Sequence, residues 1–293
     1  MGRLAPILAA EQPAMVLVHG DTTTTLAASL ETFYHQIPIG HVEAGLRTWD
    51  KRQPYPEEMN RQLTDVLADR YFAPTELAQQ NLIQEHHPAT KIKVTGNTAI
   101  DMLQYTITDD WDHPVLKQLD GQKKVILLTM HRRENWGESM ERVFAGLNQF
   151  INDNHDFELV FPMHPNPLVR KLAQAAFAQN DRVHLIEPLE VVDFHNLAAR
   201  SWVVLTDSGG IQEEAPALGK PVLVLRDQTE RPEGVTAGVL KLVGTQPETI
   251  WQTLLALMQD STFYHSFTAA QNPYGDGHAA ERIVQDIVSG LHG

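Results

Sequence analysis

Short apolar runs that alternate with longer amphipathic segments constrain this chain more than any other feature of its sequence. Nine runs have the composition of β-strands, at residues 15–18, 37–42, 70–73, 91–95, 124–129, 158–163, 182–186, 202–206 and 221–225. Segments with helical spacing lie between them, including residues 23–35, 57–68, 75–86, 138–154, 167–178, 211–218 and 247–259. This alternation predicts parallel sheets covered by helices on both faces. Strands that are apolar along nearly their whole length fit sheets buried on both sides.

The length of the chain predicts two such α/β domains, since 293 residues are about twice a typical domain length. A polar stretch at residues 108–122, which contains Pro114 and Gly121, is typical of a linker. We therefore predict a doubly wound, Rossmann-like parallel-sheet domain at residues 1–107 and a second at residues 108–272. We expect residues 273–293 to form a C-terminal helix that packs back towards the first domain.

Composition excludes several functional classes. The chain has 23 Lys and Arg residues against 37 Asp and Glu residues, a formal charge of −14, which disfavours a nucleic-acid partner. Cysteine is absent, which rules out disulfides, thiolate nucleophiles and Cys-ligated zinc and fits a cytoplasmic location. There is no HExxH motif, and we predict no metal site. No apolar run approaches the roughly 20 residues that span a bilayer, and a signal-peptide layout is missing.

Polar side chains collect where the predicted strands end. Ligands of open α/β sheets bind just beyond the carboxyl ends of the strands. The residues at these ends are Asp21, Glu43, His131, His164, Glu187, Asp207 and Ser208. We expect two such rims to face each other and to form a small-molecule cleft between the domains.

A phosphate site is predicted where residues 202–206 lead into Ser208, Gly209 and Gly210. A strand that ends in a glycine-rich turn and opens a helix offers free N–H groups and the positive end of a helix dipole. Ser208 can cap that helix, and we expect Glu213 and Glu214 in its first turn, where one could bind ribose hydroxyls. The alternative is a capped helix without a ligand. The following loop, with Arg226 and Arg231, is either a phosphate partner or a solvated ion-pair loop.

Three acids and one histidine are candidates for proton transfer. Asp21 and Glu43 are 22 residues apart, one crossover, and Glu57 opens a helix after a proline-rich turn. Acids that share a pocket can divide into acid and base roles, although each could also be a helix cap or a surface charge. His131, which Arg132 follows, could bind a phosphorylated leaving group or transfer protons, or belong to a basic turn that pairs with acids.

The motifs together resemble the non-hydrolysing UDP-N-acetylglucosamine 2-epimerases, in order and spacing, over essentially the whole chain. They are VHGDTTT at 18–24, HVEAGLRT at 41–48, PEEMNR at 56–61, TGNT at 95–98, HRREN at 131–135, DSGGIQEE at 207–214 and TERPE at 229–233. The resemblance implies a GT-B fold, without a cofactor, that interconverts UDP-GlcNAc and UDP-ManNAc. The expected route is elimination and re-addition of UDP through a 2-acetamidoglucal intermediate. A homodimer that supplies ManNAc for bacterial surface polysaccharides is also implied.

The resemblance assigns roles to individual residues. Asp21, Glu43, Glu57 and His131 match catalytic positions. The positions that match the UDP-sugar site are Leu189, Phe194, Ser208, Gly209, Gly210, Glu214 and Arg231. Among these, Glu214 matches the ribose contact and Arg231 the sugar-phosphate side. Leu189 and Phe194 match a loop that holds uracil. Arg132 and His164 resemble residues of a second UDP-GlcNAc site that activates bacterial members.

One departure from the family concerns the first residues. Family members begin with a strand and a Gly-Thr-Arg-Pro-Glu turn whose Arg and a following Lys hold the diphosphate, and this sequence contains no such segment. We expect roughly three βα units to be missing, through a truncated gene product or a wrongly chosen start codon. Residues 15–18 would then form an exposed edge strand. The remaining alternatives are a hydrolysing 2-epimerase that releases ManNAc and UDP, a GT-B glycosyltransferase, and an inactive fragment that binds UDP.

Overall fold

The computed structural model describes residues 2–291 and divides into two compact units. Unit 1 combines the chain up to Asp101 with the chain from Tyr274 onward, and unit 2 runs Met102–Pro273. None of the helices described within residues 2–291 is long and apolar enough to cross a bilayer.

Unit 1 contains a parallel sheet with the strand order β1-β2-β3-β4. Its strands are β1 (Val16–His19), β2 (Ile39–Val42), β3 (Arg70–Ala73) and β4 (Ile92–Val94). Its helices are α1 (Ala5–Glu11), α2 (Thr23–Tyr34), α3 (Glu57–Leu67), α4 (Glu76–Gln84), α5 (Thr98–Thr106), which crosses the unit boundary, and α13 (Ala279–Leu291). Strand β1 lies at an edge, as expected, and Leu17 on it is 49% exposed.

Local capping explains why the helices of unit 1 begin where they do. The hydroxyls of Thr22 and Thr75 accept hydrogen bonds from the first turns of α2 and α4. The buried carboxylate of Asp101 accepts from the backbone nitrogens of Ala279 and Ala280 at 3.0 and 2.7 Å, which fixes the start of α13. Helix α13 therefore packs within unit 1.

Unit 2 contains a six-stranded parallel sheet with the order β10-β9-β8-β5-β6-β7, the doubly wound order with β5 and β8 at its centre. The strands are β5 (Lys124–Thr129), β6 (Phe157–Pro162), β7 (Val183–Ile186), β8 (Val203–Thr206), β9 (Val222–Val224) and β10 (Leu240–Leu242). The helices are α6 (Glu138–Asp153), α7 (Pro167–Phe177), α8 (Val191–Arg200), α9 (Gly209–Ala217), α10 (Pro232–Thr236), α11 (Pro247–Gln259) and α12 (Ser261–Ala269).

All nine predicted strands overlap observed ones, so the α/β prediction with parallel sheets is confirmed. Strand β10, which has three residues and includes the charged Lys241, was not predicted from the sequence. The prediction that residues 108–122 form a polar linker was wrong. Trp111 and Val115 are buried in the core of unit 2, and Trp111 Nε1 donates to Asp193 at 2.7 Å.

Gly45 shows how tightly unit 1 is packed. Its φ is +85°, and a Cβ added there would lie 2.3 Å from the carbonyl oxygen of Ala78 at the start of α4. Both the backbone conformation and the close helix therefore require glycine.

Gly45→Ala should destabilise the protein by on the order of 3 kcal/mol, because strain and a backbone clash add together. The exposed Gly121, with open space around its α-carbon, provides the matched control, and Gly121→Ala should change stability by less than about 0.5 kcal/mol. Urea denaturation followed by circular dichroism measures both. Equal stability of the two variants would contradict this packing.

Candidate functional site

The ends of β1 and β2 bring Asp21 and Glu43 to neighbouring turns of unit 1. Gly20 N donates to the carbonyl of Val42 at 3.0 Å, which joins the two turns. A carboxylate oxygen of Glu43 lies 3.2 Å from the point where a Cβ of Gly20 would stand. The Glu43 carboxylate is therefore packed directly against the residue that precedes Asp21.

Helix α3 holds Asp21 from the other side. Arg61 Nη2 donates to Asp21 Oδ2 at 2.5 Å, and Asn60 Nδ2 donates to the Asp21 carbonyl at 2.9 Å. Glu57 opens the same helix and is half-buried. Because residues three and four apart share a helix face, Glu57 lies on the face of α3 that binds Asp21.

Glu43 has an unusual backbone. Its φ is +67°, a left-handed conformation that costs a non-glycine residue about 1–3 kcal/mol and is typical of functional sites. Two hydrogen bonds compensate, since the backbone nitrogens of Glu43 and Ala44 both donate to the carbonyl of Phe72, at 3.0 and 3.2 Å. Glu43 Oε2 also lies 3.3 Å from His19 Nε2.

A buried charge network lies beneath these turns, and the sequence did not reveal it. Asp65 of α3 is fully buried and contacts His41 Nδ1 at 2.5 Å and Arg47 Nη2 at 2.6 Å. Arg47 in turn binds Glu85 at 2.5 Å. Burial raises the pKa of Asp65, but the charges and hydrogen bonds of His41 and Arg47 outweigh it and leave that pKa below its usual value.

In unit 2 a buried carboxylate fixes the loop that carries His131. Asp207 accepts from the backbone nitrogens of His131 and Arg132, at 3.0 and 2.9 Å, and from Asn135 Nδ2 at 2.9 Å. Its side chain is fully buried. Asp207, which the sequence placed among the rim acids, therefore anchors the loop after β5.

The imidazole of His131 is partly buried beside Asp207, whose Oδ1 lies 3.6 Å from Nδ1. Burial lowers the pKa of His131, and although Asp207 raises it, the charges of Arg132 and His164 lower it further. The net pKa lies below the ordinary value of 6.5, so the ring is predominantly neutral near pH 7.

The turn after β8 has the form of an anion site. Helix α9 begins at Gly209, and a Cβ there would lie 2.9 Å from Glu230, 3.4 Å from Arg132 and 3.7 Å from Arg231. Glycine thus leaves room beside the guanidinium groups. Ser208 occupies the N-cap position, but its side chain makes no capping hydrogen bond, which corrects the predicted cap.

Glu230 lies among three arginines at this turn. Arg226 Nη1 donates to it at 2.6 Å, Arg132 Nη2 at 3.4 Å, and Arg231 Nη1 lies 3.6 Å away. Burial raises the pKa of Glu230, but Arg231 and Arg226 outweigh burial and hold the pKa below its usual value. The cluster therefore places three guanidinium groups, paired with glutamates, beside the start of α9.

The acids of α9 lie in its second turn, not in the first turn as predicted. Glu213 accepts from Arg231 Nε at 2.6 Å. Glu214, which is about one-fifth exposed, lies 3.3 Å from Nε2 of the buried His195, whose Nδ1 contacts the Thr106 hydroxyl at 2.8 Å. The Glu214 carboxylate is therefore held in place by a histidine that the sequence did not single out.

Two apolar residues predicted to bind uracil are half-buried in unit 2. Leu189 and Phe194 both contact the core cluster that contains Val204 and Leu197. Leu189 precedes α8, whereas Phe194 lies within α8 and not in a loop as predicted. Phe194 directly precedes His195, the partner of Glu214.

Three further residues that the sequence analysis singled out are Arg132, His164 and Glu187, and each has a different environment. Arg132 lies beside Gly209, and its Nε is buried without a hydrogen-bond partner among the described residues. The rings of His164 and His131 are 5.7 Å apart. Glu187 pairs with Arg170 on the surface at 2.5 Å. Across residues 2–291 no group of three or more His, Asp or Glu side chains could hold a metal ion.

The fold and these strand-end sites define a GT-B-like α/β protein with two Rossmann-like units. A family model for UDP-N-acetylglucosamine 2-epimerase matches residues 1–288. The UDP-N-acetylglucosamine 2-epimerase of Bacillus subtilis is 58% identical over 94% of this chain and 73% of its own length. The chain therefore belongs to the UDP-N-acetylglucosamine 2-epimerase family, whose members are isomerases.

Solved structures agree with this assignment. The co-structure of S. aureus MnaA with UDP matches 99% of this chain and 80% of that chain, with 52% identity and a TM-score of 0.95. The UDP-GlcNAc 2-epimerase from Neisseria meningitidis bound to UDP-GlcNAc matches 98% of this chain and 80% of that chain, with 46% identity and a TM-score of 0.89.

His131 should titrate below pH 6.5, because burial and its cationic neighbours oppose protonation. Below pH 6.5 the unfolded chain therefore binds more protons at this histidine than the folded chain does. The contribution of His131 to the free energy of unfolding is fully present above pH 6.5 and decreases as the pH falls below it. Nitrogen-15 NMR of the histidine rings, with His131 assigned by its loss in His131→Gln, measures the titration. Arg132→Gln should raise the pKa and the surface variant Arg142→Gln should not. A wild-type pKa at or above 6.5 would contradict this environment.

Proposed function

We propose that the chain interconverts UDP-GlcNAc and UDP-ManNAc by elimination and re-addition of UDP. The observation that carries this proposal is the placement of two acids, Asp21 and Glu43, on adjoining turns at the strand ends of unit 1. A residue that removes a proton from one face of a carbon and a residue that returns it to the other must both lie at that carbon, and a pair of acids at neighbouring turns suits this task.

The chemistry conserves atoms. A base takes the proton from C2 of the sugar, the electron pair forms the C1–C2 double bond, and the C1–oxygen bond to UDP breaks. The products held by the protein are 2-acetamidoglucal and UDP. Addition of a proton to the opposite face of C2, with UDP bonding again at C1, gives the epimer. No water is consumed, which separates this reaction from hydrolysis to ManNAc and UDP.

We assign the C2 proton to Asp21, Glu43 and Glu57, and UDP to unit 2. The N–H groups at Ser208, Gly209 and Gly210 suit the diphosphate, as does the positive charge of Arg231. We assign the ribose hydroxyls to the held carboxylate of Glu214 and the uracil to Leu189 and Phe194. A predominantly neutral His131 can donate a hydrogen bond to the departing phosphate without a permanent charge.

The oligomeric state, the location and the biosynthetic role of the protein are part of the same proposal. We propose a cytoplasmic homodimer that supplies ManNAc units for surface polysaccharides, and the exposed apolar Leu63 and Val66 of α3 support an interface. We also propose that a second UDP-GlcNAc activates the protein through Arg132 and His164. The unpartnered Nε of Arg132 supports an anionic ligand there.

Incubation with UDP-GlcNAc in deuterated water should yield UDP-ManNAc with one deuterium at C2. Asp21→Asn and Glu43→Gln should each lower turnover by about 10²–10⁴-fold, because each removes a proton-transfer group. Both variants should still bind UDP, measured by calorimetry. Glu138→Gln, at a carboxylate that is 93% exposed on α6, is the control and should behave as wild type.

Three outcomes would contradict this function. Free ManNAc that accumulates in step with UDP identifies a hydrolase. Unlabelled, unchanged substrate together with tight UDP binding identifies a binding protein without turnover. Full activity of Asp21→Asn and Glu43→Gln removes these acids from the reaction.

Glu214→Ala should weaken UDP binding by about 1.5–3 kcal/mol, roughly 10- to 100-fold, because charged hydrogen bonds to the ribose are lost. Calorimetry with UDP measures the change, and Glu138→Ala serves as the control. Unchanged affinity of Glu214→Ala would remove this residue from the ribose site.

A further inference from the structure

His41 connects the two turns that carry the proposed acids of unit 1. It lies in β2, its side chain is fully buried, and its Nε2 is 2.8 Å from the carbonyl oxygen of Gly20, the residue before Asp21. On the other side, Nδ1 is 2.5 Å from Asp65 Oδ1. One imidazole thus bridges the end of β1 and the middle of α3.

The partners of this imidazole determine its hydrogen atoms. A carbonyl oxygen can only accept, so Nε2 carries a hydrogen and donates to Gly20. Asp65 Oδ2 accepts from Gly45 N at 3.3 Å and from the Arg47 guanidinium at 2.6 Å, which favours the ionised carboxylate. An ionised carboxylate also only accepts, so Nδ1 donates as well. Both ring nitrogens of His41 are therefore engaged by buried acceptors.

The same carboxylate reaches the second turn. Gly45, whose nitrogen donates to Asp65, follows Glu43 by two residues. The left-handed backbone of Glu43 persists only where its surroundings hold it, and Asp65 supplies one of those contacts. His41 therefore holds the Asp21 turn through Gly20, and Asp65 holds the Glu43 turn through Gly45.

We propose that His41 and Asp65 are positioning residues for the C2 proton transfer, because they set the separation of the turns that carry Asp21 and Glu43. This inference rests on the proposed function. Neither residue touches the substrate in this proposal, and both act through the backbone of the two turns.

Two amide substitutions separate the two hydrogen bonds of His41. The amide of asparagine reaches the place of Nδ1 and can keep the contact with Asp65, while that of glutamine reaches the place of Nε2 and can keep the contact with Gly20. Each variant loses the imidazole ring and one of its two hydrogen bonds, so a purely structural role would affect both alike. Thermal unfolding confirms that each variant is folded at the assay temperature.

His41→Asn should lower kcat for UDP-GlcNAc epimerisation by about 100-fold, as expected when a reacting group moves by about 1 Å. Its KM and its affinity for UDP should change less than about threefold, because the UDP residues lie in unit 2. His41→Gln should restore kcat to within about tenfold of wild type. Wild-type kcat in His41→Asn, or equal losses in both variants, would overturn the proposal.

Hydrogen–deuterium exchange supplies a readout that needs no turnover. Peptides covering residues 19–23 should exchange faster in His41→Asn than in wild type, and should be close to wild type in His41→Gln. Unchanged exchange in His41→Asn overturns the inference even if the wild type proves inactive, and an inactive wild type contradicts the proposed function alone.

Discussion

A buried carboxylate must be satisfied by hydrogen bonds, and in each unit one such carboxylate fixes the turn where the proposed chemistry takes place. Asp65 accepts from His41, Gly45 N and Arg47, while Asp207 accepts from the backbone of His131 and Arg132 and from Asn135. Because all of these donors except His41, which lies in β2, belong to loops that follow the carboxyl ends of strands, satisfying the charge also sets the loop geometry. These turns are therefore supported from within the core, which is how rigid sites are built on parallel sheets.

The sequence was sufficient for the fold because parallel strands buried on both faces are apolar along their length. Strands β3 and β5 were predicted with their observed bounds, and the adjacency of Asp21 and Glu43 followed from the rule that parallel strands end at one edge. The family followed from the motifs, and the comparisons confirm it. Composition was less informative at residues 108–122, where polar neighbours conceal the buried Trp111 and Val115.

The supporting residues could not be predicted, because their roles depend on long-range contacts. Asp65 and Glu85 are ordinary acids of amphipathic helices in the sequence, and only the fold shows Asp65 fully buried and both acids bound to Arg47. His195 likewise lies in a helix, yet it touches Glu214 19 residues later and Thr106 89 residues earlier. The sequence identified Asp207 as a strand-end acid. Whether such an acid binds a ligand or anchors a loop depends on its burial, and the full burial of Asp207 is a property of the tertiary structure.

The proposed epimerisation couples proton removal at C2 to cleavage of the bond between C1 and the UDP oxygen. UDP-GlcNAc labelled with oxygen-18 in that bridging position tests it most directly. If UDP departs and returns, the β-phosphate can rotate while free, and substrate recovered before equilibrium will carry part of the label in non-bridging phosphate oxygens. Epimerisation with all of the label retained in the bridge would show that the C1–oxygen bond never breaks, and would contradict the account.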